Sequence, residues 1–325
     1  MIVPQYWAEA RIQERRGNRQ LTVRRFGWSE HSQDEAQANA EARVRTAFER
    51  IVSGEKLPRH EPKVAYNGAD GVPIREEVLA RHGDVVITRN AYGASCLNTP
   101  DVLFADIDLP ATSAASRKLL VHFVLPGMAA MAGWLTHSWL VFALLAVAAT
   151  VFAGTVAKRL DRNRGQRMET AGCAARQRVA DFVAAHPDWH VRLYQTPAGL
   201  RALVMHRTFD ADEPAAQEFF RALHSDPVYV RMCRNQKCFR ARVSPKPWRV
   251  GMIRHIRPRP GVWPVRTEHL ALRREWIAEY ENRARSHASC RLIATLGSPT
   301  VDPKAFAVQT LHDELSQAAS SLPLA

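Results

Sequence analysis

Residues 119–157 read LLVHFVLPGMAAMAGWL, then Thr136-His137-Ser138, then WLVFALLAVAATVFAGTVA, without a single Asp, Glu, Lys or Arg. As helices rising about 1.5 Å per residue, the arms reach about 25 and about 28 Å, close to the hydrocarbon thickness of a bilayer. Lipid offers backbone groups no hydrogen-bond partner, so two helices joined by a short polar turn satisfy their amides internally. The stretch is expected to form a transmembrane helical hairpin. His122 and Pro126 weaken the first arm and predict a kink or a shallow placement there. The competing reading is a buried helical hairpin in a soluble protein, because short apolar runs are usually core.

The flanks set the expected orientation. Arg117-Lys118 precede the first arm, and Lys158, Arg159, Arg162, Arg164 and Arg167 follow the second. The turn has no Lys or Arg and lies between Trp134 and Trp139, residues suited to the opposite interface. Both tails are therefore expected in the cytoplasm of a bacterial-type cell, with the hairpin in the inner membrane. The opening MIVPQYWAEARIQERR turns charged too early for a secretory signal, so insertion is expected to rely on the hairpin itself.

The chain has 325 residues and a formal net charge of +13. Residues 1–118 hold 17 Lys/Arg against 16 Asp/Glu, whereas residues 158–325 hold 28 against 16. The excess thus follows the apolar stretch and implies an anionic partner: lipid head groups, nucleotide, nucleic acid or an acidic protein. Five scattered cysteines do not form a disulfide framework and fit a reducing compartment.

Hydrophobic periodicity and turn residues give an α+β class, a mixed or antiparallel sheet with packed helices, interrupted by the hairpin. The expected divisions are 1–116, 117–159, 160–266 with the basic run, and a helical 267–325; one domain interrupted by the hairpin is the alternative. Expected strands fall at 6–13, 20–28, 84–89, 102–109, 189–196, 200–207, 228–231 and 239–243. Expected helices fall at 29–51, capped by Ser32 or Asp34, and at 76–81, 168–185, 213–224 and 267–285, with one more after Pro303.

Three features bear on chemistry. Asp106 and Asp108 are two apart at the end of an apolar strand and share a face. Adjacent carboxylates repel unless a cation lies between them, and either Mg²⁺ or Mn²⁺ or an arginine answers that need. In the metal reading they are candidate catalytic and metal-binding residues for nucleotidyl transfer. The turn Thr196-Pro197-Ala198-Gly199-Leu200-Arg201 is the second: its amides at Thr196 and Gly199, with Arg201, suit a phosphate, or form an ordinary hairpin.

The third is residues 227–267, which contain no acid but eleven Lys/Arg. Arg240, Arg242, Lys246 and Arg249 are its candidate phosphate contacts. Tyr229, Phe239, Trp248 and Trp263 are interleaved, as base stacking requires; the same run also suits an anionic leaflet or a plain solvated face. Cys233 and Cys238 form a lone C-x4-C without a second pair for zinc, and their basic surroundings predict lowered thiol pKa values. No Walker loop, G-x-S-x-G elbow, H-E-x-x-H or dinucleotide fingerprint occurs.

An apolar strand ending in D-x-D, followed by a Thr-containing glycine turn entering a second apolar strand, resembles the palm of the archaeo-eukaryotic primase superfamily. The resemblance covers short motifs within residues 84–245. It implies metal-binding roles for Asp106 and Asp108 and a nucleotide-phosphate role for the 196–201 turn. The family's turn carries a histidine where Arg201 stands here, and the nearest acids for its third carboxylate are Asp210 and Asp226. Nucleotide or nucleic-acid binding, rather than polymerase activity, is the inheritance this implies.

Overall fold

The computed structural model describes all residues except 2, 18, 62–71, 110–130, 132, 133, 136–138, 260 and 262. Most of the expected first apolar arm, its turn and the Asn67-Gly68 turn lie outside the described residues. The chain divides into two compact units, Met1–Ile107 with Val179–Ala325, and Asp108–Arg178.

The larger unit is α+β. Strands β1 (Tyr6–Arg16) and β2 (Arg19–Ser29) form an antiparallel hairpin. Helix α1 (Gln33–Val52) lies on it, its first turn closed by the Ser32 hydroxyl, which accepts from the Glu35 amide at 3.1 Å. Ala36, Ala40, Val44 and Phe48 recur every fourth residue and meet Ala8, Ala10 and Val23 of the hairpin in one apolar cluster.

Two four-stranded sheets follow. The first has the order β3 (Glu77–His82), β4 (Val85–Arg89), β5 (Ser95–Thr99), β9 (Phe239–Arg242), all antiparallel. The second has the order β10 (Arg291–Gly297), β7 (His190–Thr196), β8 (Gly199–Val204), β6 (Phe104–Asp108). Both contain strands from each side of the apolar stretch: β5 pairs with β9, and the Val204 amide donates to Leu103 at 3.0 Å where β8 neighbours β6. Residues 1–107 and 179–325 are thus one interrupted unit.

Helix α2 (Trp139–Ala185) joins two stretches that sequence periodicity treats separately, and it ends before His186-Pro187 as expected. Its segment Trp139–Val156 has mean hydropathy 2.2 and no buried side chain among the described residues, long and apolar enough to cross a membrane; among the described residues it is the one such helix. Its last turns supply Phe182, which meets Trp189 and Phe219 edge-on in an aromatic core, with ring centroids 4.9 and 5.1 Å apart. Helices α3 (Pro214–Ala222), α4 (Pro227–Gln236), α5 (Leu270–Ala284) and α6 (Pro303–Ser316) complete the unit. The helices expected at 213–224, 267–285 and beyond Pro303 are all present.

Two element assignments differ from expectation. Residues 76–81, rich in helix formers, instead hold β3, because pairing with β4 across the Gly83 turn (φ +61°) overrides local propensity. Residues 228–231 lie in α4, whose start is signalled by Asp226-Pro227: the Asp226 carboxylate accepts from the Val228 amide at 3.0 Å and proline occupies the first turn. Strands β5 and β10 have no counterpart among the expected strands.

The contact between β2 and α1 leaves no room at Gly27. A β-carbon there would overlap the backbone of Ala36 and Ala40. Gly27→Ala should therefore destabilise the protein by about 1–3 kcal/mol or more, read as a lower midpoint of thermal unfolding; an unchanged midpoint would contradict this packing.

Candidate functional site

Asp106 on β6 and Arg201 on β8 are brought together by the second sheet. The Arg201 guanidinium, 2% exposed, donates from Nε to Asp106 Oδ1 at 2.8 Å and from Nη2 to Oδ2 at 3.3 Å. Its Nη1 donates to the Arg242 carbonyl at 2.9 Å and lies 3.4 Å from His312 Nε2. The arginine answer to the acidic strand end is therefore the one realised at Asp106. Both oxygens of the Asp106 carboxylate accept from Arg201, so its charge is answered by the guanidinium without a metal. Among the described residues no cluster of three or more His, Cys, Asp or Glu could hold a metal. Asp108, the last residue of β6, is exposed.

The other sequence candidates are distributed. Thr196 faces Gly199 where the β7–β8 hairpin closes, and its Oγ1 accepts from the Gly199 amide at 3.0 Å, so that amide points at the threonine. Arg201 is committed to Asp106 rather than to the turn. Arg240 is buried and pairs with Glu76 at 2.5 Å. Asp210 accepts from the Asp212 amide, and Asp226 caps α4 while its own amide donates to the Asp106 carbonyl at 3.1 Å.

Behind Arg201 lies a polar network that the sequence did not disclose. His312 on α6 is wholly buried; its Nδ1 is 2.9 Å from Asp313 Oδ1, and its Nε2 is 3.8 Å from Cys290 Sγ. Ser316 Oγ is 3.3 Å from the same sulfur, and Arg192 reaches Asp313 at 3.0 Å. Burial opposes every charge here, but the Asp313 carboxylate and the Cys290 sulfur hold the His312 pKa above its ordinary value. Burial would likewise raise Asp313 and Cys290, yet His312 holds both below their usual ranges. Cys290 and His312 have no exposed surface, so the thiol and the imidazole are closed off from solvent. Cys233 and Cys238 reverse the expectation of lowered thiol pKa values: burial outweighs their basic neighbours, raising Cys233 and pushing Cys238 up to about 12.

Arg242, Lys246 and Trp248 gather with Tyr92 at the surface. Trp248 is 54% exposed, its ring 5.5 Å from that of Tyr92 and 5.4 Å from Lys246 Nζ. Arg242 Nη1 lies 3.5 Å from the Tyr92 hydroxyl. Trp248 and Arg249 share the short 3-10 turn Pro247–Val250. Other cations of the acid-free run meet acids from elsewhere: Arg254 with Glu279, Arg266 with Glu268, and Arg234 and Lys237 with Asp212.

No protein-family model, curated protein or solved structure matches this chain.

Asp106→Ala should cost about 3 kcal/mol, the lower end for a buried pair, because Asp106 is itself 32% exposed while Arg201 is not. Asp106→Leu with Arg201→Met should recover most of that loss in urea denaturation; a double variant no better than Asp106→Ala would refute the pairing. For Asp313 the folded pKa lies below its ordinary 3.8, so the unfolded chain takes up the proton first. That stabilisation is complete above about pH 4 and is lost as pH falls through the lowered folded value. Asp313→Asn should flatten this acid limb of the stability profile, and an unaltered limb would count against the His312–Asp313 interaction.

Proposed function

We propose that this chain is a membrane-anchored protein whose larger unit, cytoplasmic at a bacterial inner membrane, binds phosphate-bearing ligands, nucleotide or nucleic acid. Two spans, residues 119–135 and 139–157, form the anchor. The apolar, unburied segment Trp139–Val156 supports the second span. The number of crossings must be even, because β5 and β9, which flank the apolar stretch in sequence, pair in one sheet and so share one side of any bilayer. The basic residues 158–167 favour the cytoplasmic side.

The observation that carries the ligand reading is the exposed Trp248 ring with Lys246 and Tyr92 beside it and Arg242 next to Tyr92. A base stacks on the indole face while Arg242, Lys246 and Arg249 take phosphate oxygens. The ligand belongs on this face rather than at Asp106 and Arg201, whose charges already answer each other. No reaction is assigned, and the Mg²⁺ or Mn²⁺ implied by the primase-like motifs has no step in this reading.

A second reading has its own support. Ile253 is 93% exposed within the same arginine-rich loop, and an apolar side chain among cations suits insertion into an anionic leaflet, where each basic residue contributes about 1 kcal/mol.

Fluorescence anisotropy of a labelled single-stranded oligonucleotide with the detergent-solubilised chain separates the two. Trp248→Ala should weaken binding by about 1–3 kcal/mol, and Lys246→Ala should lower the salt slope by about 0.7. Binding that ignores both substitutions would refute the nucleic-acid reading, and loss of binding to anionic vesicles in Ile253→Ser would support the lipid one.

A further inference from the structure

Helices α3 and α4 flank a groove of about 860 Å³ that none of the functional readings above uses. Its size falls within the range of small-molecule sites, about 300–1,000 Å³. Phe220, Pro227 and Val230 give it apolar walls. Four cations, Arg221, Arg231, Arg234 and Lys237, line it against one carboxylate, Asp212.

The charges do not cancel. Asp212 already holds both Arg234 (3.4 Å) and Lys237. Arg221 spends its Nε on the Gln217 carbonyl at 3.3 Å, and Arg231 has no carboxylate partner among the described residues. Both are exposed, with His224 close by in the lining. Ser225, also in the lining, is 8% exposed and its hydroxyl has no hydrogen-bond partner among the described residues. A buried hydroxyl left unpaired beside surplus cations is the donor set an anionic oxygen cluster satisfies.

We propose that this groove binds a small-molecule phosphate monoester: the dianionic phosphate sits between Arg221 and Arg231 with the Ser225 hydroxyl as a further donor, and the organic part lies against Pro227 and Val230. The site is separate from the Trp248 face and does not rest on the nucleic-acid reading. A free inorganic phosphate would find the same cations but not the apolar wall, so a monoester with an aromatic body should bind more tightly.

Isothermal titration of the detergent-solubilised chain with inorganic phosphate and with phenyl phosphate tests this. Phenyl phosphate should bind the more tightly of the two. Arg221→Gln with Arg231→Gln should weaken it at least tenfold, and Ser225→Ala should weaken it by a smaller factor. Trp248→Ala should leave it unchanged, which separates failure here from failure of the oligonucleotide reading. The arginines are exposed, so the double variant should keep the wild-type unfolding midpoint. No heat with phenyl phosphate, or equal binding by the Arg221/Arg231 double variant, would overturn the proposal.

Discussion

A guanidinium that loses contact with water must have its charge answered, and at Arg201 the answer comes from Asp106, a residue 95 positions earlier in the chain. The apolar stretch lies between them in sequence. The pair therefore does more than satisfy two charges: it ties β8 to β6, and with the β5–β9 pairing it makes one folded unit from residues on both sides of a segment apolar enough for lipid. Arg201 also reaches the Arg242 carbonyl at the end of β9, so the same side chain links the two four-stranded sheets.

This arrangement constrains how the chain can be built. Strands β3 to β6 emerge first and cannot complete their sheets until β7 to β10 follow. If the apolar helix enters a bilayer, the chain must return before β7, or the sheets cannot form. Neighbouring strand pairings of this length close large loops, which delays folding until late in the chain. The His312–Asp313–Cys290 network then seals the floor beneath Arg201 with residues from the last quarter of the sequence.

Much of this was legible in the residues. The β1–β2 hairpin followed from β-type residues on either side of the Arg15-Arg16-Gly17-Asn18 turn, and α1 from apolar residues three and four apart after a cap at Ser32 or Asp34. The β7–β8 hairpin followed from two apolar runs around Pro197-Ala198. Asp106 and Arg201 were both singled out, and an arginine was one of two solutions named for the acidic strand end, but nothing in their local sequence chose that solution over a metal. The choice depends on β6 and β8 lying side by side, a tertiary fact. For the same reason β3 hid behind helix-forming letters, and β5, with Ser95, Asn98 and Thr99, has no apolar run to mark it; the Asn98 amide donates across the sheet to the Val86 carbonyl at 2.8 Å and the Thr88 hydroxyl at 3.0 Å. Cys290 and His312 carry no shared motif; they meet because β10 and α6 fold back together. The arginine-rich run was visible as a block, yet the fold disperses it into one buried pair, several exposed pairs, a groove and the Trp248 face.

The central claim is that residues 1–107 and 179–325 share one compartment as one folded unit. Compartment-sensitive reporters fused at each terminus and inserted at His137 address it directly in a bacterial host. The account predicts cytoplasmic signals from both termini and a periplasmic signal from the insertion at His137. Termini reporting from opposite sides of the membrane would contradict it, because no sheet could then join β5 to β9.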